Sequence, residues 1–344
     1  MKQKLVTAIL FLTVFTFSGC GLAGNQNQNG AADKTSQTSQ EELKTVRIGA
    51  ASATAQLSEN ALLAKNLGYI DEELKAAGYQ AEYIGFAGAG PAINEAFAAD
   101  ELDYAFYVDF PAITAKSNGV DVKVIGIANQ EMNNALFVTE KSGIQSAADM
   151  EGKKIIVTPG TILYKYFAEL CEDNQVDINQ VELVNAISDA QAVLASGDAD
   201  GLIISLGGAK MYETMGLGKV VADSTTNPSR ASLFTLTGRS EYINQHPETA
   251  KALLRALKRA AEYAQQNPEE ACKQMETEST SEEAVKATYA YDMSFSYFSP
   301  QISDECRTRA QSVYHFAKEN NMLGGDVNLE ELFDSSYVDE VLSE

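Results

Sequence analysis

Residues 81–113 read AEYIGFAGAGPAINEAFAADELDYAFYVDFPAI, and the order of signals in them decides the fold. Ala81–Phe86 alternates apolar and polar positions as a strand does. Gly88-Ala89-Gly90-Pro91 then breaks the chain, and a helix runs through Ala99. Leu102–Tyr107 is a second strand, and Asp109-Phe110-Pro111 opens another helix. Strand, helix, strand, helix in that order predicts a mainly parallel sheet with helices on both faces.

The same alternation extends outward. Upstream, Thr45–Ala51 reads as a strand and Leu57–Ala77 as a helix stopped by Gly78. Downstream, Val122–Ala128 and Ala135–Thr139 are strands, and then the pattern repeats. Lys154–Val157 is a strand, Ile162–Asn174 a helix, Val181–Asn185 a strand and Ala190–Ser196 a helix. Gly201–Ser205 and Ser232–Thr237 are further strands. The rest is helical, with Pro247–Gln266 the longest run and Leu253, Leu254, Leu257, Ala261 and Ala264 along one stripe. Two α/β halves and a helical tail predict two lobes, 45–137 with 237–344 and 138–236. The crossings between them are expected near Asn134–Thr139 and Arg230–Gly238.

The first 44 residues carry another kind of signal. Lys2 and Lys4 precede a run from Leu5 to Phe17 that is apolar or threonine throughout, and Phe17-Ser18-Gly19-Cys20 closes it. That run is shorter than the ~20 residues a bilayer span needs but suits a secretory leader over 1–20. A cysteine directly after Ser-Gly has the form of a lipobox, so Cys20 is expected to carry lipid and to tether an exported protein to the membrane. Residues 21–44 are rich in Gly, Asn, Gln, Ser and Thr without apolar pattern, and are expected to be a disordered linker.

Composition narrows the partners. The chain has 344 residues, 26 Lys plus Arg against 48 Asp plus Glu, and a formal charge of −22. That field repels nucleic acid and anionic headgroups. It also requires an anionic ligand to be held by local donors. Cys171, Cys272 and Cys306 lack metal-type spacing; Cys171 and Cys306 read as core residues, and export would permit a Cys272–Cys306 disulfide. His246 precedes Pro247 at a helix start and His315 sits within a helix, so both read as structural. No nucleophile–base pair, metal cluster or phosphate loop has the spacing an enzyme needs. No cofactor is expected.

Ligands of parallel sheets collect at strand carboxyl ends, where helix N-termini present unpaired N–H groups. Four such junctions are built from small or turn-forming residues: Gly88–Pro91, Asp109–Pro111, Thr158–Thr161 and Ser205–Gly208. Each alone is an ordinary strand–helix turn, with Asp109 reading as a cap. Together they occur in both halves and could grip one small oxyanion. Candidate ligand residues are therefore Gly88, Ala89, Gly90, Asp109, Thr158, Gly160, Thr161 and Ser205. Phe86, Tyr107, Phe110 and Tyr164 could wall an apolar part. Asn134 and Arg230 stand at the expected crossings.

The ordered set of segments resembles the substrate-binding proteins of ABC transporters for aliphatic sulfonates, nitrate and taurine. The resemblance runs through LAKNLGYIDEELKAAGYQ and the stretch quoted above, then ALFVTEKSGIQSAADMEGKKI, TPGTILYKYFAEL, ISDAQAVLASGDADG and VNLEELFDSSYVDEVL. It implies a type II periplasmic-binding-protein fold that closes around one small ligand. It further implies delivery of that ligand to a permease driven by a separate ATPase, by a protein acting as a monomer. It adds Ser52, Thr54 and Gln56, after the first strand, to the ligand set. After Ile204, where relatives commonly carry an aromatic residue and a proline, this chain reads Ser205-Leu206-Gly207-Gly208. Binding of a thiamine-type pyrimidine precursor, and ligand sensing without transport, are the alternatives the same resemblance leaves open. The pyrimidine synthases that share the fold use a cysteine-dense motif with histidine, which this chain lacks.

Overall fold

A computed structural model describes residues 43–186 and 189–344. The expected leader, Cys20 and nearly all of the expected linker lie outside the described residues, as do Ile187 and Ser188. Lys44, the last residue assigned to the linker, already belongs to the first strand.

Among the described residues, ten strands form two five-stranded sheets. They are β1 (Lys44–Ala50), β2 (Tyr79–Gly85), β3 (Tyr104–Val108), β4 (Val122–Met132), β5 (Asn134–Val138), β6 (Lys154–Ile156), β7 (Glu182–Val184), β8 (Gly201–Ser205), β9 (Lys219–Asp223) and β10 (Ser232–Arg239). The first sheet runs β2-β1-β3-β10-β4 and the second β7-β6-β8-β5-β9. Each has three parallel strands at one side, with β1 between β2 and β3 and β6 between β7 and β8. Each is completed by an antiparallel strand that has just crossed from the other sheet: β10 in the first, β5 in the second.

That exchange corrects the expected crossings. β5 starts at Asn134, pairs with β8 along its whole length and with β9 from Ala135 onward, so 134–137 belong to the second lobe. β10 pairs with β3 and β4 from Ser232 onward, so 232–236 belong to the first. The chain therefore passes between lobes at Asn133 and through the two short 3-10 turns Ser224–Thr226 and Pro228–Arg230. The crossings are tied together. The Ser224 hydroxyl donates to Asn133 Oδ1 at 2.6 Å and accepts from the Asn134 amide at 3.0 Å. Asn134 Nδ2 donates to the Ser232 hydroxyl at 3.2 Å.

Two elements differ from the sequence expectation. Leu57–Ala77 is two helices, Glu59–Asn66 and Tyr69–Ala76, broken at Gly68, whose φ of +77° is a conformation glycine adopts without penalty. β9 had no sequence counterpart; it is a half-buried edge strand. Pro247–Gln266 is the long helix expected, with its apolar stripe on the first lobe's core. That core also takes in Cys272, Tyr289, Phe298 and Cys306, so the helical tail is part of lobe one. Cys171, Cys272 and Cys306 are buried free thiols. No described helix is long and apolar enough to cross a membrane.

Candidate functional site

A cavity of about 300 Å³ opens where the two lobes meet. Lobe one supplies Ser52, Thr54 and Gln56, in the loop that leaves the carboxyl end of β1, together with Glu59 at the start of helix Glu59–Asn66. Lobe two supplies Ser205, Gly207 and Gly208, where β8 turns into helix Leu206–Thr214. Two helix N-termini, one per lobe, thus border one cavity at strand carboxyl ends. The third wall is helix Glu282–Tyr289 of the tail, which packs against helix Leu206–Thr214. A Cβ on Gly207 would sit 3.7 Å from the Thr288 side chain, so the two walls are in contact there.

Local chemistry explains each wall. The Ser205 hydroxyl accepts from the Gly208 amide at 3.3 Å and caps its helix. The Ser52 hydroxyl lies 3.1 Å from that of Thr54 and accepts from the Thr54 amide, folding the loop back on itself. Asn60, fully buried, donates to the carbonyls of Leu257 and Phe298 at 2.9 and 3.1 Å and so nails the start of helix Glu59–Asn66 to the tail.

Glu59, directly before it, has φ +56°, a left-handed conformation that is uncommon for a residue with a side chain. Its Oε2 accepts from Asn129 Nδ2 at 2.7 Å and from the Tyr289 hydroxyl at 2.6 Å. Burial pushes the Glu59 carboxyl above its usual range, against the pull of those two donors. Burial, reinforced by Glu59, likewise pushes the Tyr289 hydroxyl well up, so it stays a donor. A smaller recess beside Glu59 is lined by Glu131, Asn133 and Tyr291, and the buried Tyr291 hydroxyl there has no partner among the described residues. None of the described residues lining the cavity or the recess is Lys, Arg or His.

Of the residues singled out from sequence, Ser52, Thr54, Gln56 and Ser205 come together at this cavity. The others do not line it. Gly88 caps helix Ala89–Ala98, Ala89 is left-handed at φ +49°, and Gly90 packs so tightly on Pro111 that a Cβ would lie 2.5 Å from the ring. Phe86 and Phe110 pack on the first core, and Tyr107 is wholly inside it. Asp109 is the first helical residue, not the cap, which is Val108. Asn134 is buried at the start of β5, directly after the crossing. Thr158 donates to Asn185 Oδ1, Gly160 holds φ +83°, and the Thr161 hydroxyl caps its helix by accepting from the Tyr164 amide at 3.2 Å. Tyr164 packs on Phe316.

Arg230 lines a separate cavity of about 530 Å³ whose described walls all come from residues 166–230. Its guanidinium is committed to Glu169 at 2.7 Å and Asp173 at 2.8 Å. The smaller cavity is the better candidate because both lobes build it and both strand ends point to it. Glu59, Asn129 and Tyr289 are what sequence reasoning missed. An acid just after Ser58 looks like routine first-turn chemistry, and nothing local marks the other two.

Comparison with known proteins agrees with this architecture. The chain is 26% identical over 274 residues to a Bacillus subtilis (strain 168) protein named for binding aliphatic sulfonates, covering 79% of this chain and 76% of that one. The crystal structure of a periplasmic sulfonate-binding protein, SsuA, from Methylobacillus flagellatus KT superposes with a TM-score of 0.75 at 24% identity, covering 88% of this chain and 95% of that one. The desulfurization enzyme DSZB shares the fold too, with a TM-score of 0.70 at 18% identity over 87% of this chain and 99% of the enzyme. The fold is thus that of the periplasmic binding proteins, two mixed α/β sheets in the type II arrangement. The family profile described as NMT1/THI5 like matches residues 59–271, more than half of the sequence, and the chain belongs to that family.

Proposed function

We propose that this chain is the extracytoplasmic solute-binding component of an ABC importer, tethered to the membrane by lipid on Cys20. It captures a small organic anion of the alkanesulfonate or taurine class and passes it to the permease and its separate ATPase. The observation that carries the reading is the pairing of helix Glu59–Asn66 with helix Leu206–Thr214 across one cavity. Amides and hydroxyls of Ser52, Thr54, Gln56 and Ser205 are the right chemistry for an oxyanion held without a cation. Two short crossings that let the lobes swing, and relatives named for sulfonate binding, support closure as the working motion.

No bond is broken in this mechanism. The closed form is favoured by contacts the ligand makes with both lobes at once. A thiamine-type pyrimidine is the second reading, favoured by Tyr289 and Tyr291 beside a site without a base. Titration calorimetry with alkanesulfonates, taurine, nitrate and 4-amino-2-methylpyrimidine tests both. Sulfonate binding with the ligand recovered unchanged is the expected result. Binding only of the pyrimidine would favour the second reading, and conversion of the ligand would make the protein an enzyme.

A further inference from the structure

We infer that Glu59 reads an amino group on the ligand, so that the site selects an aminoalkanesulfonate over the matching amine-free sulfonate. The inference rests on the importer reading above and narrows its ligand class. Glu59 is an acid in a cavity whose described walls hold no base. Asn129 and Tyr289 both donate to Oε2, while Oε1 accepts no hydrogen bond among the described residues and is not sealed from solvent. A carboxylate is acceptor-only, with room for more than one donor on each oxygen. One oxygen is therefore anchored and the other is free to meet a donor arriving in the cavity.

An amine-free sulfonate would bring a second negative charge beside an acid with nothing to offset it, at a cost that rises as closure excludes water. An aminoalkanesulfonate brings its own cation. Its sulfonate can lie toward the Gly207 amide and the Ser205 hydroxyl while its ammonium meets Glu59 Oε1. The geometry that anchors Glu59 supports such a role: Asn60 holds the helix start, and Asn129 and Tyr289 fix the carboxylate from two other elements. A charge-assisted hydrogen bond of this kind corresponds to about ten-fold or more in affinity.

Calorimetry on the whole protein with two matched pairs tests this, taurine against ethanesulfonate and 4-amino-2-methylpyrimidine against 2-methylpyrimidine. The expected result is taurine bound about ten-fold or more tighter than ethanesulfonate. Glu59→Gln, whose fold is checked by its unfolding curve, should reduce that preference to about two-fold or less. Tyr289→Phe, which removes only one anchor, should leave a reduced but measurable preference. If only the pyrimidine pair binds and the amino member is preferred, Glu59 keeps its role and the sulfonate reading fails. Equal binding of the members of each pair, a preference that survives Glu59→Gln, or no binding of either amino compound overturns the inference.

Discussion

The lobes meet at two polar places of opposite character. Around Glu59 a carboxylate has neutral partners only, and a cavity opens in front of it. Around the crossings, charges of both signs are consumed by one another. Lys165 lies 2.6 Å from Glu169, and Arg230 bridges Glu169 to Asp173. Arg309, buried in helix Asp304–Glu319, donates to the Gln130 carbonyl near the end of β4 and, at 3.4 Å, to the Pro228 carbonyl in the second crossing. Asp109 faces this group, with Lys165 and Arg309 both acting on its carboxyl. The difference teaches what a cation near a cleft is for in this chain. Arg230 and Arg309 are occupied at the second crossing, while the described walls of the cavity offer dipoles, hydroxyls and one acid.

Arg309→Leu should break the comparison most forcefully. One guanidinium ties the end of β4 to the second crossing, and leucine would take that donor from the part-buried Gln130 carbonyl, while the Pro228 carbonyl keeps the Ala231 amide. A hydrogen bond from a charged group is worth about 1.5–3 kcal/mol, so a loss of about that size in urea unfolding is expected. A change below about 0.5 kcal/mol, within the range of an ordinary surface substitution, would mean that the crossings are held by the Asn133–Ser224 contacts alone.

Asp109→Asn sharpens the same end of the comparison through pH. Burial pushes the Asp109 carboxyl up to about 6, against Lys165 and Arg309 that pull it down, whereas in the unfolded chain it sits near 3.9. The folded protein holds that proton more tightly, so its stabilising contribution is complete below about pH 4 and is lost as pH rises through about 6. Asparagine keeps the acceptor for the Phe110 amide, now 3.1 Å from Asp109 Oδ1, and cannot ionise. The stability difference between variant and parent should therefore move toward the variant by about 1–3 kcal/mol between pH 4 and pH 7.5. A pH-independent difference would show that Asp109 is solvated in the folded state.

Much of this was readable before any coordinates, and what was not has physical causes. Gly201–Ser205 and Pro247–Gln266 were marked at both ends by period and punctuation, and the structure returns the same bounds. β9 escaped because KVVAD is short, half-buried throughout and without alternation. The break at Gly68 escaped because apolar spacing carries on from Leu62 and Leu63 to Ile70 and Leu74, all buried in the same core. At the site, turn residues announce themselves locally, which brings Ser205 into view, while Ser52 enters only through the family resemblance. The Glu59 pair contacts join positions 70 and 230 residues apart. No window along one chain can see such a pairing, because it is created by the lobe that the tail completes.

Arg230→Gln is the smallest expected effect and the most pointed one. Arg230 is the guanidinium that sequence placed nearest a ligand, and the structure commits it to Glu169 and Asp173. Asp173 is substantially exposed and Arg230 itself is partly exposed, so solvent screens much of their attraction. Glu169 also keeps Lys165 as a partner after the substitution. A stability loss of about 0.5–1 kcal/mol, shrinking in 0.5 M salt, is expected from urea unfolding. Affinity for whichever compound the calorimetric panel identifies should change by less than about two-fold, since the guanidinium lines a different cavity. A ten-fold loss of affinity at unchanged stability would mean that Arg230 leaves its carboxylates when the lobes close and reaches the ligand. In that case the charged end and the cavity end would be one site, and the division drawn between them would fall.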